Sequence, residues 1–165
     1  MQWRERIGAY VKGVKRLALA GAGNLLRGDD AAGLLVAMIL RNKLRPLNNV
    51  LVVPCGVAVE NYLGVIKAFS PELTLLVDAV DFGAKAGAVG VFELGEVRCE
   101  WRCTHGLPLT LIARILACKV VVLGIQPLYA GVRVGVSEPV RRAILEVTSF
   151  LESLFAKSAS NSARR

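Results

Sequence analysis

Five short apolar runs separated by stretches of helical periodicity constrain the fold of this chain more than any other feature. The runs are rich in Val, Leu and Ile, and several are continuous rather than alternating, which is typical of strands buried on both faces. They cover residues 17–21, 50–53, 73–78, 89–92 and 119–125. Strands that alternate with helices predict an α/β protein with a mostly parallel sheet.

Helices are expected between these strands and after the last of them. The predicted helices cover residues 30–41, 59–69 and 108–117, and a final helix begins at Ser137. An apolar stripe at helical spacing runs along the final helix and consists of Val140, Ile144, Val147, Leu151 and Leu154.

The sequence therefore predicts one α/β domain over residues 1–165, a three-layer α/β/α sandwich around a five-stranded, mostly parallel twisted sheet. Gly83 and Gly87 mark a turn that returns the fourth strand antiparallel to its neighbour. Residues 1–16 form an N-terminal extension whose apolar residues share one helical face, so a short helix is expected there. The small, polar residues 157–165 are expected to fray.

Composition and charge exclude several classes of protein. The chain is 54% hydrophobic, but its apolar runs fall short of the roughly 18 to 20 residues that cross a bilayer. The charged N-terminus lacks the apolar region of a secretory signal, so a cytoplasmic protein without membrane insertion is expected. The formal net charge is +8, but the basic residues are scattered and aromatics are few. This pattern argues against nucleic-acid binding and favours an acidic protein partner.

The stretch GAGNLLRGDD at residues 21–30 follows the first predicted strand and raises two alternatives. A phosphate loop would use Gly21 and Gly23, but Leu26 occupies the third glycine position of a dinucleotide fingerprint, and no Walker lysine follows. Two aspartates at the helix start would also repel a phosphate. Because a cation suits these aspartates, the stretch is interpreted as a turn that presents a carboxylate.

Three candidate metal ligands follow three different strands. Asp30 follows the first strand, Asp78 ends the third, and His105, the only histidine, lies in the loop after the fourth. Sites in an open α/β sheet form at the carboxyl ends of its strands, and a carboxylate after a buried run is costly unless it has a partner. Two carboxylates and one imidazole suit nickel, zinc, cobalt or Fe(II) and leave coordination positions open.

Each of these residues also has a purely structural interpretation, and spacing alone leaves the choice open. Asp30 could cap the following helix, Asp78 could accept backbone N–H groups, and His105 could lie on the surface. If Asp30 is a ligand, Asp29 is the expected helix cap. The four cysteines form no C-x-x-C pair and are expected to be free and buried rather than zinc ligands.

Four blocks in a fixed order resemble the [NiFe]-hydrogenase maturation endopeptidases, which trim the C-terminal extension of the hydrogenase large-subunit precursor. The blocks are GAGNLLRGDDAAG from Gly21, Glu60-Asn61, LLVDAVDFGAKAG from Leu75, and CTHGLPL from Cys103 followed by LGIQP from Leu123. The resemblance extends over residues 17–154. Departures from the family pattern fall on turns and helix starts, at Ala31, Pro54-Cys55, Val59 and Ala86.

The resemblance implies a protease that acts after nickel insertion and recognises the metal of the precursor through Asp30, Asp78 and His105. Asp30 and Asp78 are also the implied catalytic residues. The residues expected to contact the substrate are Gly28, Asp29 and Thr104. Nickel is expected to arrive with the precursor, and another divalent metal is the alternative.

Two chemistries remain open for the implied cleavage. The metal either polarises the scissile carbonyl or activates water, or it serves only for recognition while the two aspartates activate water as an acid pair. Two other functions are alternatives on the same fold. One is a non-catalytic metal or hydrogenase-maturation chaperone, and the other is a small-molecule enzyme that binds an anion at its glycine loop.

Overall fold

A five-stranded sheet forms the centre of the molecule, which a computed structural model describes over residues 2–93, 96, 108–129 and 131–162. The strands are β1 (Leu17–Ala22), β2 (Val50–Gly56), β3 (Leu73–Ala79), β4 (Val89–Glu93) and β5 (Lys119–Ile125). Their order is β2-β1-β3-β5-β4, and β4 pairs antiparallel with β5 while the other pairings are parallel. The predicted α/β class, the five strands and the antiparallel fourth strand are confirmed.

Helices cover both faces of this sheet. They are α1 (Trp3–Val11), α2 (Ala32–Lys43), α3 (Leu63–Phe69), α4 (Leu109–Leu116) and α5 (Glu138–Ser162). Short 3-10 turns at Asp29–Ala31 and Val59–Tyr62 lead into α2 and α3. All helices agree with the predicted ones to within a turn, including the one in the N-terminal extension.

Alternation along β1 explains why the core has two halves. Leu17 and Leu19 contribute to a cluster of buried residues shared with α1, α2 and α5, whereas Ala18 and Ala20 contribute to a second cluster shared with α3 and α4. Successive side chains of a strand point to opposite faces, so a strand covered on both faces must be apolar throughout. Every residue of β1 is buried, as its continuous apolar run predicts.

The N-terminal helix α1 packs against the rest of the domain. Ile7 is fully buried, the rings of Trp3 and Phe150 meet edge to face with centroids 5.0 Å apart, and the Tyr10 hydroxyl donates a hydrogen bond of 2.6 Å to Glu93. At the other end of the chain, α5 continues to Ser162, past the expected start of fraying at Lys157. No Gly or Pro interrupts residues 157–162, so nothing in that stretch ends the helix.

The length and composition of the helices also bear on membranes. Within the described part of the chain, no helix combines the length and the apolar character that crossing a bilayer would need.

Candidate functional site

The carboxyl ends of β1, β3 and β5 lie next to one another, because these three strands are parallel neighbours in the sheet. Asp78 is the penultimate residue of β3, pairs with Gly124 of β5, and is fully buried. Asp30 lies in the 3-10 turn that follows β1, and this turn contacts β3. Both predicted carboxylates are therefore at the same edge of the sheet.

Glycine at position 33 allows the turn that carries Asp30 to approach β3 closely. A Cβ atom at Gly33 would lie 2.1 Å from the carbonyl oxygen of Val77 and 2.6 Å from that of Ala22. No side chain fits at such distances, so the start of α2 rests directly on the backbone of β1 and β3. Val77 immediately precedes Asp78, and this contact therefore brings the segment containing Asp30 beside the end of β3.

The two glycines of the Gly-x-Gly face protein rather than an open anion site. A Cβ atom at Gly21 would lie 2.3 Å from the carbonyl oxygen of Gly33, and one at Gly23 would lie 2.4 Å from that of Asp30. Carbonyl oxygens are hydrogen-bond acceptors and would not stabilise a phosphate. This packing supports interpreting the stretch as a turn for a carboxylate, and it weakens the anion-binding alternative.

Asp29 has a different role from the predicted helix cap. Neither the 3-10 turn nor α2 has a side-chain cap, and the Asp29 carboxylate, which is 1% exposed, points away from its own helix. It accepts hydrogen bonds from the backbone N–H groups of Leu128, Tyr129 and Ser137, at 2.8, 3.0 and 2.6 Å, and from the Ser137 hydroxyl at 2.9 Å.

The prediction that Asp29 caps α2 is therefore wrong, because its oxygens are taken up by the segment between β5 and α5. Sequence reasoning missed this because the partners are about a hundred residues away along the chain. Buried carboxylates need several donors, and the loop 126–137 supplies them from its backbone. The expected contact of Asp29 with a substrate stays a prediction.

Gly28 helps to join the loops that follow β1 and β5. It has a positive φ of 58°, as expected for a bend, and its N–H donates a hydrogen bond of 2.7 Å to the carbonyl of Arg133. The Arg133 N–H in turn donates to the carbonyl of Leu26 at 3.0 Å, which makes a short parallel bridge. The expected role of Gly28 in substrate binding stays a prediction, and its hydrogen bond to Arg133 makes it part of the connection between the two loops.

Asp30 is accessible from solvent, in contrast to its neighbour. Its side chain is 19% exposed, and its Oδ2 lies 3.0 Å from Nε of Arg27. The ion pair keeps a guanidinium next to the carboxylate, so an incoming substrate group would meet both charges. Arg27 was not singled out from the sequence, although its spacing of three residues before Asp30 is a signal for such a pair.

Gln126 is a second residue that sequence reasoning missed. Its Oε1 accepts hydrogen bonds from the N–H groups of Phe82 and Ala84, at 3.0 and 3.1 Å, and its Nε2 donates to Asp81 at 2.9 Å. These contacts fix the loop that follows Asp78. The glutamine stands in the LGIQP block, at the end of β5, where only the family resemblance drew attention to it.

The third predicted ligand, His105, and the predicted substrate contact Thr104 lie outside the described residues, as do Cys99 and Cys103. Among the residues that the structure does describe, no three His, Cys, Asp or Glu side chains form a group that could hold a metal ion. The pair of aspartates needs a further donor to complete such a site. An imidazole beside two carboxylates would suit nickel, zinc or iron.

Cys55 is the one buried free thiol in the described part of the chain, at the end of β2. Burial raises the pKa of this thiol to about 12, and a hydrogen bond from the backbone of Gly21 offsets only part of that rise. The thiol is neutral at physiological pH and is a poor nucleophile. The expectation of a free, buried cysteine is confirmed for Cys55, whereas Cys118 is free but only partly buried.

Comparison with known sequences agrees with the resemblance. A sequence model of the HycI hydrogenase maturation proteases matches residues 34–153. The hydrogenase 3 maturation protease of Escherichia coli K12 is 31% identical over 134 residues, which are 79% of this chain and 85% of that protein. The helix α1 lies outside the region that the family model matches.

Comparison with solved structures gives the same result for the fold. The [NiFe] hydrogenase maturation protease HycI from Thermococcus kodakarensis aligns with a TM-score of 0.77 and 31% identity, over 90% of this chain and 97% of that one. The maturating endopeptidase HybD from Escherichia coli aligns with a TM-score of 0.65 over 87% of this chain and 93% of that one. At 16% identity, the second likeness concerns the fold alone.

Proposed function

The chain belongs to the hydrogenase maturation proteases, and on that premise we propose that it removes the C-terminal extension of a [NiFe]-hydrogenase large-subunit precursor after nickel insertion. The enzyme is an endopeptidase. Its substrate would be a precursor that already contains nickel, and Asp30, Asp78 and His105 would bind that nickel from the side of the protease.

The observation that carries this proposal is the close contact between the start of α2 and β3. It brings the segment containing the partly exposed Asp30 beside the buried Asp78. These are the two carboxylates that the family resemblance implies for the site. A site of two carboxylates and one imidazole leaves coordination positions for ligands of the precursor. A closed site with four protein ligands would not permit such docking.

The aspartates would supply acid–base chemistry for peptide hydrolysis. One carboxylate would accept a proton as water attacks the scissile carbonyl carbon, and the proton would pass to the amide nitrogen as the C–N bond breaks. Asp30 suits contact with water because it is partly exposed, whereas Asp78 is buried and suits the role of a fixed partner. The nickel of the precursor would either polarise the scissile carbonyl or serve only for recognition of the precursor.

The proposal is tested by mixing the purified enzyme with nickel-loaded and nickel-free precursor and following the size shift on a gel. We expect cleavage of the nickel-loaded form alone. Asp30→Asn and Asp78→Asn should each lower kcat by roughly 100-fold or more, because the first removes the proposed general base and the second removes the carboxylate proposed as its fixed partner. Glu152→Gln is the control, since Glu152 lies on α5 in an exposed ion pair with Lys43 and has no proposed role in the site.

Each result discriminates between the functions considered. Equal cleavage of both precursor forms would contradict recognition of the metal. Full activity of Asp30→Asn would remove that residue from the site. Binding of the precursor without any shortening would indicate a maturation chaperone instead of a protease.

A further inference from the structure

Exposed apolar side chains are concentrated on the two loops beside Asp30. Of the eleven large hydrophobic residues that are exposed in the described part of the chain, six lie in these loops. We call them the apolar rim; they are Leu25, Leu26, Leu128, Tyr129, Val132 and Val134. Val132 is 93% exposed, Val134 is 84% exposed and Leu26 is 66% exposed. A concentration of exposed apolar groups of this kind marks an interaction surface.

The apolar rim stands on a backbone that is held in place. The bridge between Arg27 and Arg133 joins its two loops, and the buried Asp29 carboxylate bonds to Leu128, Tyr129 and Ser137 on the second loop. Val132 and Val134 therefore flank Arg133, the residue whose backbone forms the bridge. Binding to a preorganised surface costs less conformational entropy than binding to a mobile loop.

Charge identifies the kind of partner that fits the apolar rim. Arg27 and Arg133 flank it, the Arg133 guanidinium lies 4.9 Å from the ring centroid of Tyr129, and the chain as a whole carries a formal net charge of +8. Of the two aspartates beside the rim, Asp29 is buried and Asp30 pairs with Arg27. Because the charge of Arg27 is offset by Asp30, Arg133 is the guanidinium that would pair with an acidic group, and apolar groups beside it suit an apolar polypeptide segment that also carries acidic side chains.

From these observations we infer that the apolar rim binds an extended, apolar and acidic segment of the large-subunit precursor next to the bond that is cut. The inference rests on the proposed function for the identity of the partner. Arg27 follows Leu26 of the rim along the chain and pairs with Asp30, so a segment seated on the rim would lie near Asp30. The rim would then determine the affinity for the substrate and not the rate of the chemical step.

The inference is tested with the double variant V132S/V134S and with Arg133→Glu, using the purified precursor as the probe. Binding is measured by biolayer interferometry and cleavage by initial rates. We expect Kd and KM to rise by about 10-fold in each variant, with kcat within about 2-fold of the parent. The rim would contact the substrate equally in the ground state and in the transition state, so its loss weakens binding without slowing the chemical step. The matched controls are Leu145→Ser, an exposed apolar residue of α5, and Arg41→Glu in the last turn of α2, and both should leave Kd and KM unchanged.

The two readouts separate this inference from the proposed function. Loss of binding in V132S/V134S supports the rim even if the parent protein does not cleave the precursor. Unchanged Kd and KM in both rim variants would overturn the inference while leaving cleavage in place, and so would a parent protein that does not bind the precursor. Sedimentation velocity checks a second copy of the chain as the occupant. A dimer of the parent protein that V132S/V134S converts to a monomer would also overturn the inference.

Discussion

At the scale of single residues, two adjacent aspartates have opposite environments. Asp29 is buried and accepts four hydrogen bonds from the loop before α5, whereas Asp30 is partly exposed and pairs with Arg27. The Asp29 carboxylate is hydrogen-bonded within the protein, whereas the Asp30 carboxylate lies at the candidate site. Neighbouring residues of one type therefore have different environments, and the chemical role proposed for Asp30 fits its partial exposure.

Replacing the buried carboxylate should be costly for stability. Asp29→Ala leaves the N–H groups of Leu128, Tyr129 and Ser137 without their acceptor, so we expect the free energy of unfolding to fall by about 3 kcal/mol. Urea denaturation followed by circular dichroism measures this change. Glu152→Ala removes a carboxylate from an exposed ion pair with Lys43 and should cost less than about 1 kcal/mol. Equal effects of the two substitutions would show that Asp29 does not hold the loop.

At the scale of elements, the strands and helices were predictable because each depends on local pattern. The continuous apolar run of β3 predicts a strand buried on both faces, and the turn with Gly83 and Gly87 predicts the reversal before β4. The bounds of these elements agree with the structure to within a turn. Alignment of the carboxyl ends of β1 and β3 then follows from parallel pairing.

The contacts of Asp29 and Gln126 were not predictable in the same way. Each bonds to a loop that is distant in the sequence, and periodicity carries no information about which loops meet. The local preference of Asp for helix caps predicted that Asp29 caps its own helix. Its carboxylate instead accepts hydrogen bonds from a loop that is distant in the sequence. Asp30 and Asp78 could be singled out because each follows a buried strand, but their association with His105 remains a prediction.

The helix α1 offers a test of an element outside the matched family region. Ile7 is fully buried against the core, so Ile7→Ala should lower the free energy of unfolding by about 3 kcal/mol through lost burial and a residual cavity. The helix contacts β4 at Glu93, which lies at the opposite edge of the sheet from the carboxyl ends of β1, β3 and β5 because β4 is antiparallel, so kcat for precursor cleavage should stay within about 2-fold of the parent. Chemical denaturation and initial rates at saturating precursor provide the two measurements.

Lys12→Ala, on an exposed residue next to α1, is the control and should leave the free energy of unfolding unchanged. A loss of activity in Ile7→Ala without a loss of stability would mean that α1 takes part in substrate binding.

At the scale of the whole molecule, positive charge exceeds negative charge along the chain. The formal net charge is +8, and the basic residues are distributed over the chain rather than gathered in one stripe. Such a field accelerates the encounter with an acidic protein and is screened by salt. We therefore expect the net charge to affect the encounter with a partner more than the fold.

This field should make cleavage sensitive to ionic strength. Between about 20 and 200 mM salt we expect kcat/KM for the precursor to fall by roughly 10-fold, with kcat nearly constant, because screening lowers the encounter rate. Initial rates at subsaturating and saturating precursor measure the two constants. The thermal unfolding temperature, recorded over the same salt range, should change little. A kcat/KM that does not depend on salt would exclude electrostatic steering.

The hydrogen bonds of Asp29 also bear on when, during its synthesis, the chain can become active. Asp29 leaves the ribosome long before Ser137, which lies 108 residues further along the chain. Until β5 and the start of α5 have emerged, this carboxylate has no donors, and burying it would be unfavourable. The nascent chain can therefore complete neither the turn that carries Asp30 nor the apolar rim. The proposed protease would stay inactive until the chain has been made at least as far as Ser137.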